Sequence, residues 1–177
     1  EIMKSSGHSM KKLNAVSVSI GPGSYTGLRV GLSSAKGFCY ALNIPLITIA
    51  TTELMASAVK NEADDLICPV IDARRMEIYS AIYDKNLKQI KAPHSQIVDE
   101  TSFAEILNDH SVLFCGDGCK KLQELLHHKN ITYSISSANA THLAQLAFNR
   151  FEGNDFADLV YTEPLYIKEF YSSPRKD

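Results

Sequence analysis

The spacing of apolar residues along the first 60 positions alternates between a strand period and a helix period. Residues 14–20 alternate and are rich in β-branched side chains, so they predict a strand. Apolar residues over 25–42 recur every three or four positions, which predicts a helix with Ser24 as its N-cap. A second strand is predicted over 45–51 and another helix after it, capped by Thr52. This order predicts a parallel βαβ unit with a right-handed crossover.

The pattern changes after the polar segment 60–65, which is a candidate domain boundary. Residues 66–72 and 77–83 are rich in Ile, Val and Tyr and predict an antiparallel pair of strands, to which 95–100 adds a third. The remaining predicted elements are helix 102–109 with Ser102 as its cap, strand 111–115, helix 119–128, a short strand at 132–136 and an amphipathic helix at 140–151. Together these elements predict an α/β protein.

The beginning of the sequence does not supply the neighbouring strands that the predicted sheet needs. Residues 1–7 are typical of the last turns of a helix that ends at Gly7. A parallel pair of strands needs neighbouring strands, and residues 1–12 are too few to provide them. We therefore expect residue 1 to lie inside an element of a longer domain.

Composition and charge exclude several functional classes. The 177 residues are 45% hydrophobic and 21% charged, as in ordinary globular proteins. The formal net charge is −2 and the basic residues are scattered, which disfavours a protein that binds nucleic acid tightly by itself. The apolar runs are too short for a membrane span, and the first residues do not resemble a signal peptide. The spacing of the four cysteines matches no common zinc site, so we expect a cytoplasmic protein with free thiols.

Residues 19–38, SIGPGSYTGLRVGLSSAKGF, contain the turn that is the clearest candidate for a binding site. Their glycine spacing fits neither a Walker loop nor a dinucleotide loop, although a glycine-rich turn before a helix still favours an anion. A second interpretation is a helix contact, because Gly27, Gly31 and Ser34 share one face and small residues let another helix approach. A third is that this stripe and the apolar stripe beside it are both buried within the chain.

Five segments, in order and at the expected distances, resemble the TsaB/YeaZ family of bacterial proteins. They are GPGSYTGLRVGLSSAKGF, IPLITIATTELMA, VIDARRMEIYSAIY, GDG and PLYIKEF. The resemblance covers essentially the whole chain. It implies an actin-like ATPase fold of the ribonuclease H-like class, with two α/β domains and a first domain that is incomplete at its N-terminus. We therefore expect domains at 1–64 and 65–177, with the tail 161–177 returning to the first domain.

The resemblance implies that the protein is not itself the catalyst. Members of the family take part in forming N6-threonylcarbamoyladenosine at position 37 of tRNAs that read ANN codons. They bind the TsaD-type threonylcarbamoyltransferase, are joined by the ATPase TsaE, and form homodimers in isolation. tRNA is then expected to be reached only through the complex, and no membrane is involved. No cofactor is expected, and ATP or ADP at an interface is the alternative.

The same resemblance assigns two sets of candidate residues. The partner or dimer interface is expected at Gly27, Arg29, Gly31, Ser33, Ser34, Lys36, Phe38 and Tyr40. Vestigial nucleotide contacts are expected at Gly21, Gly23, Ser24, Gly116, Asp117 and Gly118. The helix N-terminus after the first glycine turn is the physical reason for the second set, since its N–H groups favour an anion.

Catalytic relatives carry an H-x-x-x-H motif after the strand that follows the G-P-G helix. Thr51 and Met55 fall where those histidines would lie, and neither side chain can replace an imidazole as a metal ligand. We therefore expect no catalytic residue and no metal ligand in this chain. The alternative is a metal- or nucleotide-dependent enzyme of the same fold, either a peptidase or a transferase.

Three acidic residues have structural as well as chemical interpretations. Asp72 and Glu77 flank the turn at Arg74–Arg75, where an ion pair that stabilises the turn is predicted in preference to acid–base chemistry. Asp117 lies between two glycines and is predicted to cap the helix that follows, because Asp is favoured at N-caps.

Overall fold

The computed structural model describes residues 2–168, and these form alternating helices and strands. The first part contains α1 (Ile2–Ser5), a short 3-10 helix (Met10–Lys12), β1 (Val16–Ser19), α2 (Tyr25–Leu42), β2 (Leu46–Ile49) and α3 (Thr51–Val59). The second contains β3 (Leu66–Asp72), β4 (Glu77–Asp84), β5 (Gln89–Ile97), α4 (Ala104–Asp109), β6 (Val112–Cys115), α5 (Cys119–Leu125), β7 (Ile131–Ser134) and α6 (Ala140–Glu152). This order confirms the predicted α/β class.

The first sheet is the parallel pair β1–β2, which pairs Val16 with Leu46 and Ser19 with Ile49. Helix α2 connects the two strands and has the predicted limits. Its N-cap, Ser24, accepts a hydrogen bond from the Gly27 N–H at 3.3 Å. Helix α2 covers one face of the sheet, while α6 packs against both strands and also contacts α3. The sheet therefore lies between helices, as a parallel sheet requires.

The second sheet has the strand order β5-β4-β3-β6-β7 in the described residues. Strands β3 and β4 form the predicted antiparallel hairpin, with β5 as the third antiparallel strand. Strands β6 and β7 run parallel to β3. One face carries the larger core, which includes Val70, Phe114 and Leu122. The other face packs against α3, so α3 contacts elements of both sheets.

The N-cap predicted for α3 is wrong. The helix begins at Thr51 with Ala50 in the cap position, and no side chain caps it. Thr52 instead lies inside the first turn, fully buried, where its hydroxyl shares a 2.9 Å hydrogen bond with the Tyr83 hydroxyl. A buried threonine satisfies its hydroxyl with the partner that packing supplies, and here that partner comes from β4.

The N-cap predicted for α4 is wrong for a similar reason. The helix begins at Ala104, and the hydroxyl of Ser102 is already engaged with Asp99. The largest differences from the predicted limits are in β5 and α5. Strand β5 begins six residues before the predicted segment 95–100, and α5 ends at Leu125 rather than at 128. Strands at a sheet edge and helix ends are where sequence patterns fix boundaries least well.

The chain after α6 lies along the first sheet and α2. The Ala157 N–H donates to the Leu46 carbonyl at 2.8 Å, and the Leu165 N–H donates to the Ile20 carbonyl at 2.7 Å. Residues 169–177 of the predicted returning tail lie outside the described residues, and the predicted domain limits stay predictions. Among the described helices, none combines the length and apolarity that crossing a bilayer needs.

Candidate functional site

Helix α2 has one covered face and one open face. Leu32, Ala35 and Cys39 are buried against the first sheet. On the open side, Val30 is 61% exposed and Phe38 is 49% exposed. Around them lie exposed residues that are small and polar or lack a side chain, namely Gly27, Ser33, Ser34 and Gly37. The result is a low strip with two exposed apolar side chains, which we call the α2 outer face.

The interface residues predicted from sequence divide into three groups. Gly27, Ser33, Ser34, Phe38 and Tyr40 are exposed on α2, with Tyr40 83% exposed. Two more, at 29 and 36, contact the chain's own C-terminal segment. Gly31 forms the third group, because it is partly buried on the side of the sheet.

Gly31 turns toward the sheet rather than toward solvent. It is only partly exposed, and a Cβ placed on it would lie 3.8 Å from Cγ2 of Val18 in β1. The side chains of the outer face therefore follow the spacing Val30, Ser34 and Phe38, and Gly31 does not belong to it. Sequence reasoning missed Val30, although its four-residue spacing to Ser34 and Phe38 is a visible helical signal.

Arg29 and Lys36 hold the segment that follows α6. The Arg29 guanidinium lies 4.1 Å from the centre of the Tyr25 ring and donates through Nε to the Tyr166 hydroxyl at 2.7 Å. Lys36 Nζ donates to the Val160 carbonyl at 3.0 Å. These two cations therefore fix the C-terminal segment beside α2.

The two glycine turns that were predicted as nucleotide contacts meet across a cleft. Gly23 and Ser24 lie on one side, and Gly116 and Asp117 lie on the other, around a cavity of about 780 Å³. The cavity wall also contains Tyr133. The hydroxyl of Tyr133 is buried and has no hydrogen-bond partner among the described residues, and burial raises its pKa to about 12.

Packing within the chain accounts for three of these glycines. Gly116 has φ of 109°, and a Cβ there would collide with the Val70 carbonyl oxygen and the Met55 methyl group. Gly21 and Gly118 are similarly close to backbone atoms of the chain, at 3.0 Å and 3.2 Å from an added Cβ. Gly23, in contrast, has no neighbouring atom within 4 Å of such a Cβ. Only Gly23 therefore leaves open space toward the cavity.

The geometry corrects the predicted role of Asp117 and shows which residues form ion pairs with Asp72 and Glu77. Asp117 does not cap α5. Its Oδ1 accepts a hydrogen bond from the Asp72 N–H at 3.0 Å, so it connects two strand ends. Asp72 does not pair with an arginine side chain of its turn but with Lys121 at 2.7 Å, and Glu77 pairs with Lys168. The hydrogen bond from Lys121 is the main reason that the pKa of Asp72 is lowered.

The positions aligned with the missing histidines are engaged in packing. The Thr51 hydroxyl shares a 2.7 Å hydrogen bond with Ser19, and the Met55 methyl group lies against Gly116. No group of three or more His, Cys, Asp or Glu side chains within residues 2–168 is arranged to hold a metal ion. Burial raises the pKa values of Cys115 and Cys119 to about 12, so these thiols are protonated at neutral pH.

Comparison with known sequences shows the family of this chain. Residues 1–168 match the family described as "TsaD: tRNA N6-adenosine threonylcarbamoyltransferase". The chain is 36% identical, over 162 residues, to the tRNA threonylcarbamoyladenosine biosynthesis protein TsaB of Bacillus subtilis (strain 168), covering 88% of this chain and 70% of that protein. The chain belongs to the TsaB/YeaZ family. The TsaB protein of Haemophilus influenzae is 28% identical over 95% of this chain and 75% of its own length.

Solved structures related to the TsaB/YeaZ family have the same fold. YeaZ from Pseudomonas aeruginosa superposes with a TM-score of 0.72 at 19% identity, over 93% of this chain and 79% of that one. A Pseudomonas aeruginosa protein described as similar to the peptidase YeaZ gives 0.82 at 18% identity, over 94% and 79%. At these identities the likeness establishes the fold alone, and together with the family match over residues 1–168 it confirms the predicted actin-like α/β class.

Proposed function

We propose that this TsaB/YeaZ family member is a non-catalytic subunit that binds a TsaD-type threonylcarbamoyltransferase through the α2 outer face. With a TsaE-type ATPase, the complex forms N6-threonylcarbamoyladenosine at position 37 of tRNAs that read ANN codons. Relatives named for the biosynthesis of this nucleoside support the pathway. A cytoplasmic location follows from the proposed tRNA substrate.

The observation that carries this proposal is the open side of α2. Val30 and Phe38 are exposed, and Ser34 lies between them one helical turn from each. Exposed apolar strips on a soluble chain mark surfaces that a partner covers. Small side chains at the centre of the strip allow a partner helix to approach the α2 backbone closely. In the absence of the TsaD-type subunit, the same face is proposed to hold two copies of this chain together.

The contacts of Thr51 and Met55 support the non-catalytic part of the proposal. A hydroxyl bonded to Ser19 and a thioether packed on Gly116 contribute to the packing between the sheets. Neither provides the imidazole nitrogen that a catalytic relative uses for its metal. We infer that the chemistry belongs to the partner.

The experiment mixes this protein with its TsaD-type subunit and measures complex formation by gel filtration. Ser34→Trp places a large side chain at the centre of the outer face and should abolish the complex. Gln145→Trp, on the exposed side of α6, is the matched control and should leave the complex intact. A complex that tolerates Ser34→Trp as well as the control would show that the partner binds elsewhere.

A second candidate function is adenine nucleotide binding in the cleft, as an enzyme or at an interface. The specific observation in its favour is that Gly23, Ser24, Gly116 and Asp117 line one cavity with the unpartnered Tyr133 hydroxyl. Titration calorimetry of the isolated chain with ATP and ADP tests it. Gly23→Leu fills the open side of the cavity and should abolish any heat of binding. Submicromolar binding that Gly23→Leu removes would favour an enzyme over a subunit without a ligand of its own.

A further inference from the structure

The turn between β3 and β4 contains two arginines that the proposed partner site does not use. Arg74 and Arg75 have φ values of 69° and 49°. Residues other than Gly, Asn and Asp rarely adopt this left-handed backbone conformation, because it costs of the order of 1 kcal/mol per residue. The turn is closed by a 3.1 Å hydrogen bond from the Ala73 N–H to the Glu77 carbonyl. Arginine is therefore present at both positions against the local backbone preference, which is expected of functional positions.

A hydrogen-bond network holds the base of this turn. Asp72 Oδ1 accepts from the Arg74 N–H at 2.6 Å and from Lys121 Nζ at 2.7 Å. Lys121 Nζ also donates to the Glu77 carbonyl at 2.9 Å. The Asp117 carboxylate accepts from the Asp72 N–H, which connects the network to the loop before α5. The backbone from which both arginine side chains project is thus fixed by three elements.

The carboxylates beside the turn form their ion pairs with lysines and not with the two arginines. The nearest carboxylates, Asp72 and Glu77, are taken by Lys121 and Lys168. Neither Arg74 nor Arg75 forms an ion pair within residues 2–168, and both residues are exposed. The tip of the turn is therefore a positively charged point on a chain whose formal net charge is −2.

The turn also lies next to the start of α2. Arg74 shares the lining of a cavity of about 580 Å³ with Ser24 and Thr26. The helix proposed to meet the partner therefore begins beside the charged turn. A ligand bound mainly by the partner at the start of α2 would therefore also lie near the charged turn.

We propose that Arg74 and Arg75 contact the phosphodiester backbone of tRNA in the assembled complex. This inference rests on the proposed function, because the tRNA is brought by the partner. A guanidinium offers parallel N–H donors that match phosphate oxygens, and a rigid turn lowers the ordering cost of the contact. Such contacts position RNA without reading its bases. Two cations on an otherwise acidic chain suit an auxiliary contact, which would add to a larger RNA-binding surface on the partner.

The test uses a variant that removes both charges and keeps the turn. Arg74→Asn/Arg75→Gly introduces residues that tolerate the left-handed backbone. Lys88→Ala/Lys91→Ala is the matched control, since it removes the same charge from two exposed positions, one in the turn between β4 and β5 and one near the start of β5. Assembly with the TsaD-type subunit is measured by gel filtration. Binding of a fluorescently labelled tRNA that reads an ANN codon is measured by anisotropy at several salt concentrations.

We expect the Asn–Gly variant to assemble normally and to bind tRNA about tenfold more weakly, with a salt dependence reduced by between about 1 and 2 in log–log slope. Its thermal midpoint should not fall, because the new residues relieve backbone strain, whereas a structural role for the arginines requires that it does. Arg74→Lys/Arg75→Lys keeps the charge and should keep most of the salt dependence. The control should bind tRNA like the unchanged protein.

Unchanged tRNA affinity in the Asn–Gly variant overturns the proposal. Weaker assembly with unchanged tRNA binding also overturns it, and assigns the turn to an acidic protein surface. If the unchanged chain does not assemble with the TsaD-type subunit, the proposed function fails, and the comparison is repeated with the isolated chain at low salt. A loss of tRNA binding specific to the Asn–Gly variant there supports the phosphate contact, and equal binding by all variants rejects it.

Discussion

Helices α2 and α3 each begin next to a strand of the first sheet, but their surroundings differ. Helix α3 packs against α6 on one side and against the second sheet on the other. Its buried residues are Thr52, Ala56 and Val59. Helix α2 is twice as long, and outside the sides that contact the first sheet and the C-terminal segment it leaves apolar side chains in solvent. The contrast shows that α3 is a connecting core element, whereas the composition of α2 is explained only by a second surface.

The largest effect is expected on the covered side of α2. Leu32→Ala should lower the free energy of unfolding by about 3 kcal/mol, because it leaves a cavity against Cys39 and Leu46. Urea denaturation followed by circular dichroism measures this. Val30→Ala, on the open side of the same helix, should change it by less than about 0.5 kcal/mol. Equal losses for the two variants would mean that both sides of α2 are covered within one chain.

The open side of α2 should matter for the complex and not for the isolated chain. Phe38→Ala should weaken binding to the TsaD-type subunit by about 2 kcal/mol, a typical value for an aromatic residue at the centre of an interface. The free energy of unfolding of the isolated chain should stay within about 0.5 kcal/mol, since the ring is half exposed. Calorimetry of the mixture and urea denaturation of the variant separate the two quantities. A loss of stability without a loss of affinity would assign Phe38 to the fold.

The buried side of α3 contains a polar pair that can be tested on its own. Tyr83→Phe leaves the Thr52 hydroxyl buried without its 2.9 Å partner and should cost about 1–2 kcal/mol of unfolding free energy. Adding Thr52→Val removes the unpaired group and should recover part of that loss. A double variant less stable than the single one would show that packing, and not the hydrogen bond, explains the effect.

The smallest effect concerns the chain just beyond α3. Hydrogen bonds from Ser134 and Ser136 lower the pKa of Glu62 below its ordinary value of 4.5. A carboxylate with a lowered pKa stabilises the fold above the ordinary value, and that contribution is lost as the pH falls through the lowered one. The thermal midpoint of Glu62→Gln should therefore be slightly below that of the unchanged protein at pH 7, and the gap should close as the pH falls below 4.5. Glu124→Gln, on the exposed side of α5, should show no such convergence.

Local signals in the sequence were sufficient for most of the fold. The limits of α2 followed from Ser24 and from the helical period, because capping depends on neighbouring residues alone. The roles of Thr52 and Asp117 could not be inferred in the same way. Their side chains bond to Tyr83 and Asp72, which are distant in sequence and near only after packing.

The helix that contains the candidate interface could be predicted from the sequence, but the side of that helix that is exposed could not. A helix turns by about 100° per residue, so a shift of one position moves a stripe from solvent to the sheet. Gly31, which was predicted on the interface, lies toward the sheet for this reason, whereas its neighbour Val30, for which no role was predicted, is exposed. The engagement of Arg29 and Lys36 with the C-terminal segment was equally hidden, because their partners are more than 120 residues further along the chain.

The return of the chain from α6 to the first sheet also sets the order of events during synthesis. Strand β2 is complete at Ile49, but the helix that covers its buried Ile47 is not made until residues 140–152 emerge from the ribosome. The second sheet, whose elements are nearly consecutive, can form while the first still exposes apolar side chains. The proposed docking helix therefore reaches its final surroundings late, after the segment that carries Val160 and Tyr166 has been translated.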